Sequence, residues 1–143
     1  MKNKYNKLIA LSPDEWWLML NAMFILPVVT LMLMMFGFKR CRQLMGYFMH
    51  TESIHVKSRD SQEERIRIIY RMVNIVMKHG AFSANCLKHS LILWWLLAKN
   101  GIESEIIFGV ENSLDKKFSA HAWVRYHGKD LFDHVHNNYV AFT

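Results

Sequence analysis

Residues 83–91 read SANCLKHSL, and the remaining predicted elements are arranged around this stretch. It begins a helix that we expect to run to about Asn100, because leucine and tryptophan recur there at helical spacing. Gly101 follows the last residue of this helical pattern, and glycine is common just after a helix C-terminus. A helix this apolar is buried on most sides, and it carries Cys86 in its first turn.

After Gly101 the hydrophobic period changes from that of a helix to that of a strand. Strands are predicted at Ile102 to Val110, Phe118 to Tyr126 and Lys129 to Val135, with one more short strand in the tail. A further helix is predicted from Asp60 to Gly80, with an apolar stripe at Ile66, Ile69, Tyr70, Val73, Val76 and Met77. The sequence therefore predicts an α+β fold, with a helical N-terminal region at 1–58 and a catalytic domain at 59–143.

The N-terminal region begins its first helix at Ser12-Pro13-Asp14-Glu15, where Ser12 and Glu15 form a capping box. Residues 16–38 are almost entirely apolar and are followed by Lys39, Arg40 and Arg42. This length and flanking charge are typical of a membrane-associated helix. The alternative is two short helices that break at Pro27 and pack on the catalytic domain, because proline disrupts a helix interior. Both interpretations stay open at this point.

Three side chains predict nucleophilic chemistry: Cys86 at a helix N-terminus, His121 on a strand and Asp133 on the next strand. A cysteine attacks carbonyl carbon as the thiolate, which the partial positive charge of a helix N-terminus favours. A neighbouring imidazole takes the thiol proton, and a carboxylate orients that imidazole. The backbone amide of Cys86 is a candidate oxyanion donor, since first-turn amides lack partners within the helix.

The turn after the second strand decides whether His121 and Asp133 share a face of the sheet, because a slip of one residue flips every side chain. A three-residue loop at 126–128 pairs Arg125 with Lys129 and sets His121 opposite Asp133. A two-residue loop puts Asp133 on the other face and makes Asp130 or His134 the nearest polar partner. We predict the three-residue loop.

Each of these residues also has an ordinary structural interpretation. A buried cysteine usually behaves as a small hydrophobe, and a strand histidine is usually a surface group or a satisfied core group. The alternating histidines His134 and His136 suggest a metal, but such a pattern on an exposed strand more often has no ligand. The spacing alone leaves the triad and these alternatives open.

Composition narrows the class of protein. The 143 residues suffice for one domain of ordinary size. The net charge of +6 favours an acidic partner or an anionic membrane, but no motif for binding nucleic acid accompanies it. The only cysteines, Cys41 and Cys86, are in no CxxC pair, which predicts free thiols in a reducing, cytoplasmic compartment and neither a metal site nor a cofactor.

The order and spacing of CLKHSLILWWLL at 86–97, FGV at 108–110, AHAWV at 120–124 and LFD at 131–133 resemble the transglutaminase-like proteins of lasso-peptide biosynthesis. The resemblance covers roughly residues 60–135 and is to the stand-alone leader peptidase, the C-terminal half of the longer lasso B protein. Two departures stand out: Lys88-His89 replaces a frequent Pro-Arg pair, and Phe132 replaces a frequent Asn.

The resemblance implies a papain-like or transglutaminase-like core in which Cys86 is the nucleophile, His121 the general base and Asp133 the orienting acid. The implied reaction removes the leader from a lasso-peptide precursor and frees the core N-terminus for a separate macrolactam cyclase. The implied partners are the precursor, a separate leader-recognition protein and the cyclase. The apolar N-terminal region could contact the recognition protein, the cyclase or the inner face of the membrane. An acyltransferase or amidase with the same triad, and a non-enzymatic membrane-associated interaction protein, are the alternatives.

Overall fold

A computed structural model describes residues 12–49, 59–79, 85–111, 120–131 and 139–142. Three helices come first: α1 (Pro13–Met49), α2 (Arg59–His79) and α3 (Cys86–Lys99). Four strands follow: β1 (Glu105–Glu111), β2 (Ala120–Tyr126), β3 (Lys129–Asp130) and β4 (Tyr139–Phe142). Three helices and a small antiparallel sheet agree with the predicted α+β class. Residues 50–58, which contain the predicted domain boundary, lie outside the described residues.

Helix α1 begins with the predicted capping box, because the Ser12 amide donates to Glu15 Oε2 at 2.9 Å and the Glu15 amide donates to Ser12 Oγ at 3.3 Å. Of the two open interpretations, the one with two short helices that break at Pro27 is wrong: the helix continues through Pro27, and its backbone leaves helical geometry at Gly37 (φ 72°, ψ 174°). An interior proline costs about 3 kcal/mol. Burial of Leu26 and Val29 beside it offsets this cost, since each contributes about 1.5–3 kcal/mol.

The three helices pack on one another around a common core. The inner face of α1, defined by Leu18, Ala22, Leu26 and Val29, is buried against α2 and α3. The predicted stripe of α2 is also buried, apart from the half-buried Tyr70. Helix α3 contributes Leu91, Ile92, Leu93, Leu96 and Leu97. Its C-cap is Asn100, and the next residue is Gly101. Gly101 has a left-handed φ of 71°, as predicted for a glycine that follows a helix C-terminus.

The sheet is antiparallel, with the strand order β3-β2-β1-β4. Ile106 lies opposite Val124, and Phe108 lies opposite Ala122. Ile106 and Val124 belong to the helical core, so this face of the sheet packs on the helices. The predicted strand in the tail is confirmed, since β4 pairs with β1.

The predicted three-residue loop after β2 is wrong. Tyr126 pairs with Lys129 and Arg125 pairs with Asp130, so the connection is the two-residue loop His127-Gly128. Both loop residues have positive φ, 47° and 77°, which matches the twist of the flanking strands. The predicted alignment of His121 opposite Asp133 depended on the three-residue loop, so the observed register does not support it. Asp133 itself lies outside the described residues, so its position stays a prediction.

Helix α1 is the one helix among the described residues that is long and apolar enough to cross a membrane. Core helices of soluble proteins and signal sequences pass the same test of length and composition. In α1, 28% of the apolar window is buried, so the helix differs from a core helix enclosed on all sides.

We predict that Gly128→Ala lowers the free energy of unfolding by about 1–2 kcal/mol, because alanine is strained at a left-handed φ although its Cβ meets no neighbour. Gly46→Ala is the matched control: its added Cβ also meets nothing, and its helical backbone suits alanine. The control should gain about 0.5–1 kcal/mol. Urea unfolding followed by circular dichroism measures both, and a Gly128→Ala protein as stable as the wild type would contradict the observed turn.

Candidate active site

A cavity of about 440 Å³ lies where α2, α3 and the first half of β2 meet. Both Cys86 and His121 line it, so the structure brings these two predicted site residues to one place. Its volume is within the usual range for ligand sites. The other lining residues are Tyr70, Asn74, Met77, Lys78, Asn85, His89, Ser90, Leu93, Ala122, Trp123, Val124 and Leu131.

Cys86 is the first residue of α3, as predicted, and Asn85 is the N-cap. Asn85 has extended backbone angles (φ −132°, ψ 160°), and its Oδ1 accepts a hydrogen bond of 2.9 Å from the Lys88 amide. Asparagine is among the strongest N-cap residues, so this bond defines where the helix begins. It places the partly exposed Cys86 thiol at the N-terminal end of α3, which is the positive end of the helix dipole.

His121 lies on β2 opposite Gly109 of β1, a neighbour that has no side chain. Its imidazole stacks on Trp123, with ring centroids 6.0 Å apart and planes inclined by 23°. Four consecutive residues of β2, from His121 to Val124, form the strand side of the cavity wall. The imidazole is half-buried and is therefore within reach of a substrate in the cavity.

A buried hydrogen bond joins the two elements that carry Cys86 and His121. Ser90 Oγ donates to the carbonyl oxygen of Ala122 at 2.7 Å. Ser90 follows Cys86 by one helical turn, and Ala122 is the residue after His121. Ser90 is 2% exposed, so its hydroxyl is out of reach of bulk water. This bond holds the thiol-bearing helix against the imidazole-bearing strand.

The third predicted residue, Asp133, lies outside the described residues. Among the described residues of this hairpin, the carboxylate is that of Asp130. It accepts one hydrogen bond of 2.6 Å from Arg125 Nε and one of 3.3 Å from a second guanidinium nitrogen of Arg125. This side-chain hydrogen bond raises the pKa of the Arg125 guanidinium. Leu131 lines the cavity, and Asp130 is not among the lining residues.

The sequence analysis missed a polar cluster beside Cys86. His89 follows Cys86 by three positions on α3, which puts both on one side of the helix. The Nε2 atom of His89 lies 2.9 Å from Asn74 Oδ1 on α2, and its ring meets Tyr70 edge to face at 5.5 Å. A Cys-x-x-His spacing at a helix start is the signal that could have identified it. His89 belongs to the Lys88-His89 pair, which is one of the two departures from the resembled pattern.

The second thiol has a different environment. Cys41 is fully buried on α1, where its Sγ lies 3.8 Å from Met45 Sδ. Burial raises the pKa of the Cys41 thiol, so it stays protonated. Neither cysteine forms a disulfide, and Cys86 is the one of the two that combines a helix N-terminus with access to the cavity. In the described part of the chain, no three His, Cys, Asp or Glu residues cluster in a way that could hold a metal ion.

Comparison with known proteins adds one match. A family model described as the transglutaminase-like superfamily matches residues 32–143, a region that contains Cys86, His121 and Asp133. No curated protein and no solved structure matches the chain significantly.

We predict that Ser90→Ala lowers the free energy of unfolding by about 1–3 kcal/mol, because the buried bond to Ala122 is lost. Ser104→Ala is the matched control, since Ser104 Oγ is buried and has no hydrogen-bond partner within the described ranges. That change should stay within about 0.5 kcal/mol or stabilise the protein. Equal losses in urea unfolding would show that the Ser90 bond does not join α3 to β2.

Proposed function

The chain belongs to the transglutaminase-like superfamily, and we propose that it is a cysteine peptidase that removes the leader peptide from a lasso-peptide precursor. The superfamily includes cysteine peptidases and acyltransferases, which share nucleophilic attack by a thiol. The observation that carries the proposal is the common cavity of Cys86, at the start of α3, and His121, on β2. A thiol at a helix N-terminus and an imidazole in one cleft are the minimum for acyl transfer.

In the proposed reaction, the Cys86 thiolate attacks the carbonyl carbon of the peptide bond between leader and core. His121 accepts the thiol proton and delivers it to the leaving nitrogen as the C–N bond breaks, which releases the core with a free amine. The leader stays bound to Cys86 as a thioester. Water, deprotonated by His121, then hydrolyses the thioester and releases the leader as a carboxylic acid.

Two other groups assist these steps in the proposal. Backbone amides in the first turn of α3, including that of Cys86, stabilise the oxyanion that forms at the attacked carbonyl. Asp133 orients the imidazole and stabilises its protonated form. The resemblance to lasso leader peptidases supports this role for Asp133, whereas Asp130 accepts hydrogen bonds from Arg125.

The choice of a lasso precursor as substrate rests on the resemblance at residues 86–97, 120–124 and 131–133. We propose that a separate recognition protein presents the leader and that a separate cyclase consumes the freed core. The chain alone should bind the precursor weakly. The site of action is then the cytoplasm, where the precursor is made.

The first test incubates the protein with a lasso precursor and its recognition protein and follows the released core by mass spectrometry. We expect cleavage by the wild type and a loss on the order of 10³-fold or more for Cys86→Ala and for His121→Ala. Cys41→Ala is the matched control, because this thiol lies outside the cavity, and it should cleave as the wild type does.

The same experiment separates the alternatives. A leader joined to an added amine, in place of a leader acid, would identify an acyltransferase or amidase. A wild type that yields neither product, and whose Cys86 resists iodoacetamide, would favour the non-enzymatic interaction protein. Equal cleavage by wild type and Cys86→Ala would refute the proposed nucleophile.

A second test concerns the acid. We predict that Asp133→Asn lowers kcat on the order of 10²–10⁴-fold, because the imidazole loses its orienting partner. Asp130→Asn is the control: it breaks the partly exposed pair with Arg125, costs roughly 0.2–1 kcal/mol of stability and leaves kcat unchanged. The reverse result, a large kcat loss for Asp130→Asn alone, would assign the role to Asp130.

A further inference from the structure

The outer face of α1 is apolar and uncovered. All of the large hydrophobic side chains that are exposed in the described part of the chain lie on this helix. They are Trp16, Trp17, Leu20, Met23, Phe24, Val28, Leu31, Met34, Met35, Phe36, Leu44, Tyr47 and Phe48. A large side chain has a full area of about 150–250 Å². With the exposed fractions of the residues from Trp16 to Met35, this gives an exposed apolar area on the order of 1,000 Å². Monomers rarely leave so large an apolar patch in water.

The exposed residues lie on the opposite side of α1 from the buried ones. Trp17, Phe24 and Leu31 follow one another at intervals of seven, so they share the outer face. Leu18, on the inner face, is buried against the other helices. Phe24 is 73% exposed and Met34 is 81% exposed. Helix α1 therefore has one face that packs on the protein and one that is free to contact something else.

The two polar residues of the apolar stretch each donate a hydrogen bond within the helix. They are Asn21 and Thr30. Asn21 Nδ2 donates to the Trp17 carbonyl oxygen, and Thr30 Oγ1 donates to the Leu26 carbonyl oxygen, both at 2.8 Å. Both groups are thus bonded to the backbone of their own helix, as polar groups must be where water is absent.

Exposed basic side chains follow the apolar stretch of this helix. Lys39, Arg40 and Arg42 are exposed just after the Gly37 bend. The two acids that precede the apolar stretch, Asp14 and Glu15, form ion pairs with Arg65 and Arg71 of α2. The apolar outer face is therefore followed by cationic side chains, and the acids before it are paired.

We propose that the outer face of α1 binds the surface of an anionic phospholipid bilayer, with the helix axis parallel to that surface. The aromatic and methionine side chains enter the boundary between headgroups and acyl chains, and Lys39, Arg40 and Arg42 contact lipid phosphates. The helix does not cross the bilayer, because its inner face carries α2, whose exposed Glu63, Glu64 and Arg67 would enter the hydrocarbon.

Charge opposes a parallel pair of copies as the occupant. Two α1 helices packed parallel by their outer faces would bring the exposed Lys39, Arg40 and Arg42 of both copies together. This arrangement opposes like charges, whereas an anionic membrane neutralises them.

The test is sedimentation of the full chain with sucrose-loaded vesicles, made either of phosphatidylcholine alone or with phosphatidylglycerol added. We expect the wild type to bind the anionic vesicles. The triple change Phe24→Gln, Leu31→Gln and Met35→Gln should weaken binding on the order of 100-fold or more, since three exposed apolar side chains no longer leave water. Lys39→Gln, Arg40→Gln and Arg42→Gln together should weaken it on the order of 10–100-fold on anionic vesicles only.

The matched control is the pair Glu64→Gln and Arg67→Gln, which changes exposed α2 residues and leaves the net charge as it is. It should bind as the wild type does, and circular dichroism of every variant verifies folding. Three results would overturn the proposal: a wild type that stays in solution with both vesicles, a dimer in sedimentation equilibrium that the triple change dissolves, or protein that alkaline carbonate cannot extract, which indicates a helix across the bilayer. Precursor cleavage in solution does not depend on this binding, so each proposal can fail alone.

Discussion

The hydrogen bond from Ser90 Oγ to the Ala122 carbonyl oxygen sets the distance between the helix that carries Cys86 and the strand that carries His121. Ser90 lies one helical turn after Cys86, and Ala122 is the residue after His121. A buried hydroxyl that loses its partner costs free energy, so few relative positions of α3 and β2 are stable. Both Ser90 and Ala122 also line the cavity, so this bond lies in its wall.

The protein places its cavity and its apolar outer face on different elements. The cavity wall described above comes from α2, α3, β2 and Leu131, and none of its described residues belongs to α1. Helix α1 instead covers α2 and α3, and its Phe38 ring meets Phe108 of β1 at 4.5 Å. A membrane bound at the outer face of α1 therefore contacts no residue of that wall.

The hairpin after β2 shows how a local choice changes a distant side chain. His127 and Gly128 both take left-handed φ, and Arg125 binds Asp130 across the strands. Since side chains alternate along a strand, this register does not support the predicted alignment of Asp133 with His121. The same register ties the hairpin to α2, because the Tyr126 hydroxyl donates to Gln62 Oε1 at 2.7 Å.

The sequence by itself determined what local chemistry controls: the capping box at Ser12, the start of α3 at Cys86, its stop at Gly101 and the change of period into strands. It also predicted Cys86 and His121 as site residues, and the structure brings both to one cavity, while their catalytic roles stay predictions. It left open whether α1 passes through Pro27, and it did not predict the two-residue turn or the cluster of His89 with Asn74. These were decided by tertiary structure, because each depends on contacts between residues distant in the chain or on strand pairing. Burial beside Pro27 outweighs a lost backbone bond, and only the packing of α2 on α3 brings Asn74 to His89.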